Sequence, residues 1–335
     1  MASQSPLVLA LAALGLPLCG VALWLCACAG LPESKEFAPL MLGLTDEEAV
    51  LEVQLRGTDV RAQRLHLTFD DGPGLRTEEL AEYLRDLRVP ATFFINGLNV
   101  RGRESALRAI AKDGLHALGN HGQNHTLLTR NMAFDAVFQE VKSTSDIVRS
   151  YQPDGPFYFR PPFKGMTSAL YTQLFADASL KLTGPIHWDI GDRLASRSGA
   201  DWECWATGTS VDACADKYLA EIDAKKSGIV LMHDSRSKTV DLIKVLVPKL
   251  LAQGYRFVPL REVPIVKRAL AEGMPKPAKG QCFSGTNFQL VANTACVQSS
   301  ADERWYQCRK SEWTPFAGSL ADCTEQFPFE NLRDK

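Results

Sequence analysis

The 335-residue sequence has almost no net charge, −2 at pH 7. Without a basic excess there is no electrostatic reason to propose nucleic acid, or an acidic membrane surface, as a partner. C-x-x-C pairs are absent, which argues against a zinc knuckle. Charge is also missing from the whole run Pro6 to Gly30, and neither Lys nor Arg precedes it. A run of that length would span a bilayer, but Gly15, Pro17 and Gly20 interrupt it and small residues crowd its end. The Ala27-Cys28-Ala29 stretch fits the small-x-small pattern of a signal-peptide cleavage site. Export follows, by soluble secretion to an extracellular or periplasmic space or, reading "LCAC" as a lipobox, by a lipid anchor on Cys28. An uncleaved membrane anchor is the remaining alternative.

Outside the leader there are six cysteines: Cys204 and Cys214 as a close pair, and Cys282, Cys296, Cys308 and Cys323 as a cluster. An even count in an exported chain implies disulfides, and the cluster of four allows three pairings. Residues 31–60 read as a linker. From about residue 61 short apolar runs ("RLHLTF", "ATFFING", "LHALGN", "FYFRPPF", "LTGPIHW", "GIVLMHD", "YRFVPL") alternate with amphipathic stretches. This alternation predicts an α/β domain over 61–263, a distorted (β/α) barrel of about seven parallel strands. Residues 264–280 read as a second linker. Residues 281–335 read as a small, disulfide-stapled, mostly β module, in which Trp305, Tyr306 and Trp313 either stack on sugar rings or fill a small core, the second being favoured.

The polar residues fall at one end of the predicted strands. Asp70, Asp71, His121, Arg160, Asp189 and His233 all stand at or just past a strand's carboxyl end, the rim where βα barrels do chemistry. In "LTFDDGPG" two adjacent carboxylates repel each other and would point to opposite faces of a strand. If the strand ends at Phe69 or Asp70, the Gly72-Pro73-Gly74 turn lets both swing towards one cation. "NHGQNH" places His121 and His125 four residues apart, so that Asp71, His121 and His125 supply the two histidines and one carboxylate of a three-ligand catalytic site. His66 and His116 read as packing residues. "FRPPF" aims Arg160 from a stiffened turn, and "IVLMHD" places Leu231 and His233 on one strand face.

Together these stretches resemble the polysaccharide deacetylase family, the NodB-homology domain of carbohydrate esterase family 4, over roughly residues 60–263. "TFDDGP" matches the family's first motif, "HGQNH" its second with Gly122 in place of Ser or Thr, "RPPF" its third and "LMHD" its fifth. The fourth motif, Asp-x-x-Asp-Trp, departs: Asp189, Asp192 and Asp201 are all candidates, with Asp201-Trp202 favoured after an insertion. The resemblance implies hydrolysis of N-acetyl groups on a polymeric amino sugar such as peptidoglycan, chitin fragments or an exopolysaccharide. It implies one divalent metal, Zn2+ with Co2+, Ni2+ or Mn2+ as substitutes, bound by Asp71, His121 and His125. Asp70 would be the base, oriented by Arg160, and His233 the acid, steadied by Asp201. The Phe163 backbone N–H would bind the oxyanion, a donor worth about 3 kcal/mol, and Leu231 and Trp202 would receive the acetyl methyl. The implied protein is a monomer whose partner is its polysaccharide. Two other readings compete: an acetylxylan-type O-acetyl esterase, and a catalytically dead carbohydrate-binding wall protein.

Overall fold

The structure, a computed structural model, describes residues 51–192 and 199–330. The 1–30 leader, with both its cleavage and its lipidation readings, lies outside the described residues, as does most of the 31–60 stretch. Strands β1 (Arg64–Gly72), β2 (Ala91–Ile95), β3 (Ala117–Asn120), β4 (Tyr158–Phe159), β5 (Gly228–His233) and β6 (Arg256–Phe257) form one sheet of order β4-β3-β2-β1-β5, with β6 on β1. All its pairings are parallel. The helices are α1 (Thr77–Asp86), α2 (Glu104–Ala111), α3 (Phe134–Tyr151), α4 (Ser168–Ala176), α5 (Asp201–Ala206), α6 (Val211–Lys225), α7 (Ser237–Ala252) and α8 (Pro264–Glu272).

The fifth of the seven apolar runs, "LTGPIHW", forms no strand. Its region makes isolated bridges instead, among them Thr183 to Tyr158 of β4 and Ile190 to Val230 of β5. Those bridges link the two edges of the sheet and curl it into a distorted barrel. Pro185 has no N–H to give a neighbour, so the run cannot pair continuously.

Strand periodicity sorts the two faces. Leu65, Leu67 and Phe69 of β1 pack outward with Leu80, Leu107, Ile222 and Leu246 of the surrounding helices. Phe94, Phe159, Ile229 and Leu231 belong to the inner core. Thr68 and Asp70 share the inner face of β1, and His233 follows Leu231 by two on β5. The barrel's carboxyl rim therefore starts where its apolar interior stops.

The C-terminal module is a hairpin, β7 (Gln281–Ser284) with β8 (Gln289–Ala292), plus a sheet of β9 (Cys296–Gln298), β10 (Trp305–Arg309), β11 (Glu312–Pro315) and β12 (Gln326–Phe327), ordered β11-β10-β9-β12. Of the three pairings left open, Cys282–Cys308 and Cys296–Cys323 form, and Cys204–Cys214 ties α5 to α6. Phe283, Val297 and Trp313 join the same core as the barrel interior, and Phe283 stacks on Tyr171 at 4.8 Å. Trp313 is buried and donates Nε1–H to the Phe283 carbonyl at 2.8 Å. Trp305 and Tyr306 are half-buried, so the three aromatics do not form an open sugar platform.

Both linker expectations need correction where residues are described. Val53 and Leu55 are fully buried, and Leu55 bridges Ile186. Asp189 Oδ2 accepts from Gly57 N–H at 2.9 Å and from Ile229 N–H at 2.8 Å, tying this segment to β5. Residues 264–272 are helix α8, with Val266 and Ala269 in the core. Loss of regular alternation there reflects a short helix rather than a linker. Among the described residues no helix is long and apolar enough to cross a membrane.

Glu52 clasps the module. Its carboxylate accepts from the hydroxyls of Ser284 and Thr286. Burial outweighs these donors and raises its pKa from 4.5 to about 7. A raised folded-state value means that its contribution to stability is full below pH 4.5 and is lost as pH rises through about 7. Glu52→Gln is therefore expected to flatten the fall of Tm with pH across that window. Parallel wild-type and variant curves would contradict the assignment.

Candidate active site

Two neighbouring carboxylates reach one point because β1 contains a bulge. The pairing with β2 slips between Asp70 and Gly72, leaving Asp71 as the extra residue. Asp71 adopts φ +69°, a left-handed conformation that costs a non-glycine residue about 1–2 kcal/mol. Asn99 Nδ2–H donates to the Asp71 carbonyl at 2.8 Å and helps to hold it there. The expectation that the strand ends at Phe69 or Asp70 is thus corrected. The strand continues to Gly72, and an inserted residue, rather than the turn alone, turns both side chains the same way. His121 Nε2 lies 3.7 Å from Asp70 Oδ2 and 3.4 Å from Asp71 Oδ1.

The histidines occupy the loop after β3. His121 N–H donates to Ile95 O at 2.9 Å, which fixes the loop to β2. Its ring Nδ1 faces the Arg160 carbonyl at 2.7 Å; a carbonyl only accepts, so Nδ1 carries the proton and Nε2 presents a lone pair when the ring is neutral. His125 Nε2 lies 3.1 Å from Asp71 Oδ1. One ligand atom from each of Asp71, His121 and His125 lies within 4.8 Å of the others. Asp71 Oδ1 is buried and makes no hydrogen bond of good geometry, so its charge faces the two imidazoles unsatisfied. A carboxylate oxygen and two imidazole nitrogens converging in this way fit a divalent cation by donor chemistry and by reach. Burial pushes the Asp71 pKa up, but His125 and His121 prevail and hold it well below the usual carboxylate range. Burial lowers the His121 value while Asp70 and Asp71 raise it, the net shift being upward.

Glycine at 122 is accounted for by conformation: its φ is +78°, and its N–H donates to Asn120 Oδ1 at 2.7 Å. Glu140 Oε2 accepts from Gln123 N–H at 3.1 Å and Asn124 N–H at 2.9 Å, so a carboxylate from α3 braces the loop.

Arg160 is fully buried behind Asp70. Its Nη1 donates to Asp70 Oδ1 at 2.6 Å and Thr68 Oγ1 at 2.9 Å, its Nε to Ile186 O at 3.0 Å and its Nη2 to His187 O at 3.3 Å. The guanidinium lies 4.2 Å from the Phe94 ring centroid. One Asp70 oxygen is thus oriented by a cation with no rotational freedom, and the other faces the histidines.

The three candidate aspartates separate by position. Asp201 stands against His233, its Oδ1 accepting from Nδ1–H at 2.8 Å and its Oδ2 from the His233 backbone N–H at 2.8 Å and Thr239 Oγ1–H at 2.7 Å. Asp189 serves the Gly57 and Ile229 amides, and Asp192 pairs with Lys164 Nζ at 2.5 Å. Burial alone would lower the His233 pKa, but Asp201 above all raises it to about 10. Tyr218 OH donates to Leu231 O at 2.9 Å and accepts from Asp201 N–H at 3.1 Å, joining α5 to β5.

Phe163 has φ +56°, and its ring lies 4.4 Å from that of His125. Leu231 is buried on the inner face and Trp202 is half-buried beside Asp201. His66 and His116 are buried in packing. Sequence reasoning missed Asn99, Tyr218 and Thr239, which carry no local signal, and Thr68 and Asp234, which stand inside the quoted "LTFDD" and "LMHD".

A family model described as polysaccharide deacetylase matches residues 57–182, a span holding Asp70, Asp71, His121, His125, Arg160 and Phe163. The chain is 30% identical over 223 residues to a chitooligosaccharide deacetylase of Rhizobium leguminosarum bv. trifolii, covering 62% of this chain and 93% of that protein. It is 28% identical over 211 residues to the peptidoglycan-N-acetylmuramic acid deacetylase PdaC of Bacillus subtilis, covering 63% of this chain but only 40% of that longer protein. Among solved structures, the chitin deacetylase of Colletotrichum lindemuthianum aligns with a TM-score of 0.52 at 26% identity, over 62% of this chain and 89% of that one. The chain belongs to the polysaccharide deacetylase family.

Proposed function

We propose that this protein is a metal-dependent hydrolase that removes N-acetyl groups from an amino-sugar polymer. The observation that carries the reading is the convergence of Asp71, His121 and His125 within 4.8 Å, flanked by the pairs Asp70–Arg160 and His233–Asp201. Asp71, His121 and His125 would hold a divalent ion, and zinc suits two imidazoles and a carboxylate. Once bound, such an ion acts as a Lewis acid towards the acetamide carbonyl and lowers the pKa of water.

Asp70 is the base that takes a proton from the attacking water, its free oxygen directed by the Arg160 contact at 2.6 Å. The left-handed backbone at Phe163 supports assigning its N–H to the developing oxyanion. His233 gives its proton to the leaving amine; the Asp201 charge keeps it protonated at neutral pH. Leu231 and Trp202 receive the acetyl methyl. Three disulfides favour an oxidising, extracytoplasmic setting. The relatives named for peptidoglycan and chitooligosaccharide deacetylation favour an amide over an ester substrate.

Acetate release from purified peptidoglycan or chitin oligomers is expected, abolished by a chelator and restored by zinc. Release from acetylxylan alone would replace the amide reading with the ester one. Asp70→Asn is expected to lower kcat by about 10²–10⁴-fold with bound metal unchanged; retained turnover would remove Asp70 as the base. Asp201→Asn is expected to lower the His233 pKa, moving the alkaline limb of the pH–rate profile to lower pH. An unmoved limb would remove His233 as the acid.

A further inference from the structure

Asp234, next to His233, is 1% exposed, and nothing in the proposed chemistry uses it. Its Oδ1 is buried with no hydrogen-bond partner, a costly condition for a carboxyl group. Its Oδ2 accepts a hydrogen bond from Thr77 Oγ1–H, and that same Thr77 oxygen accepts from Gly74 N–H at 2.8 Å. Thr77 opens α1 and is fully buried.

The Gly72-Pro73-Gly74 turn rests on this residue. A Cβ at Gly72 would lie 2.1 Å from Asp234 Oδ2 and 2.4 Å from Oδ1, and one at Gly74 would lie 2.3 Å from the Asp234 carbonyl. Both glycines are therefore needed for contact between the turn and the end of β5. Asp71 immediately precedes the turn in a left-handed conformation that must be imposed from outside. Asn99 holds its carbonyl from the β2 side, and the Asp234–Thr77–Gly74 chain clamps the residues that follow it.

We propose that Asp234 is a positioning residue that, through Thr77, braces the Asp71 bulge and sets the affinity of the Asp71–His121–His125 site for its cation. This rests on the metal-site reading above. The brace acts by shape and by an accepted hydrogen bond, which Asn reproduces and Ala does not. Partners of metal ligands typically cost about 10–100-fold in affinity when removed.

The test is zinc affinity by competition with a chromophoric chelator, and the visible absorption of the cobalt form, measured on the full disulfide-bonded protein. Asp234→Ala and the near-isosteric Thr77→Val are each expected to weaken zinc binding by about tenfold or more and to alter the cobalt spectrum. Asp234→Asn should stay within about threefold of wild type. Wild-type affinity in both Asp234→Ala and Thr77→Val would overturn the brace alone, as would a fall in metal-free Tm with affinity unchanged. Asn failing as badly as Ala would also overturn it. If Asp234→Ala does not fold, Thr77→Val decides. A wild-type protein that binds neither zinc nor cobalt would take the metal-site reading down together with this one.

Discussion

One extra residue in β1 governs the site. In a regular strand Asp70 and Asp71 would face opposite sides of the sheet. The slip against β2 and the left-handed Asp71 backbone bring both to His121. Such a backbone is unfavourable on its own, and the surroundings supply what sustains it: Asn99 on the carbonyl and a glycine turn packed against Asp234. Two like charges side by side are then tolerable because imidazoles and a guanidinium surround them.

The two carboxylates are set apart by their partners. Asp70 is bound by a buried guanidinium that also reaches Thr68 and two backbone carbonyls, so its orientation is fixed by the barrel interior. Asp71 Oδ1 instead faces the two imidazoles. Across the rim, His233 is held through both its ring and its backbone amide by Asp201, whose helix is tied down by a disulfide and by Tyr218. The proposed base and acid thus sit on paired strands, Asp70 opposite His233 in register, each with an orienting partner of opposite charge.

Much of this was legible in the residues because it follows from short-range rules. Strand periodicity placed Leu231 and His233 on one face, and alternating strand and helix patterns implied a barrel with a polar rim. The bulge was not legible, since nothing in "TFDDGP" distinguishes an inserted residue from an early strand end. Choosing among Asp189, Asp192 and Asp201 depended on contacts with Gly57, Lys164 and His233, all distant in sequence. Residues 51–57 looked like a linker because their few apolar side chains gain partners only from the barrel and the C-terminal module. Helix α8 was hidden by its shortness.

The most direct measurement is a crystal structure, or X-ray absorption at the zinc edge, of the protein loaded with one equivalent of zinc. The expected result is an ion bound by both imidazole Nε2 atoms and one Asp71 oxygen at about 2.0–2.2 Å, with Asp70 beside it on Arg160 and outside the ligand set. Zinc held without Asp71, or bound elsewhere on the molecule, would contradict the role assigned to the bulge.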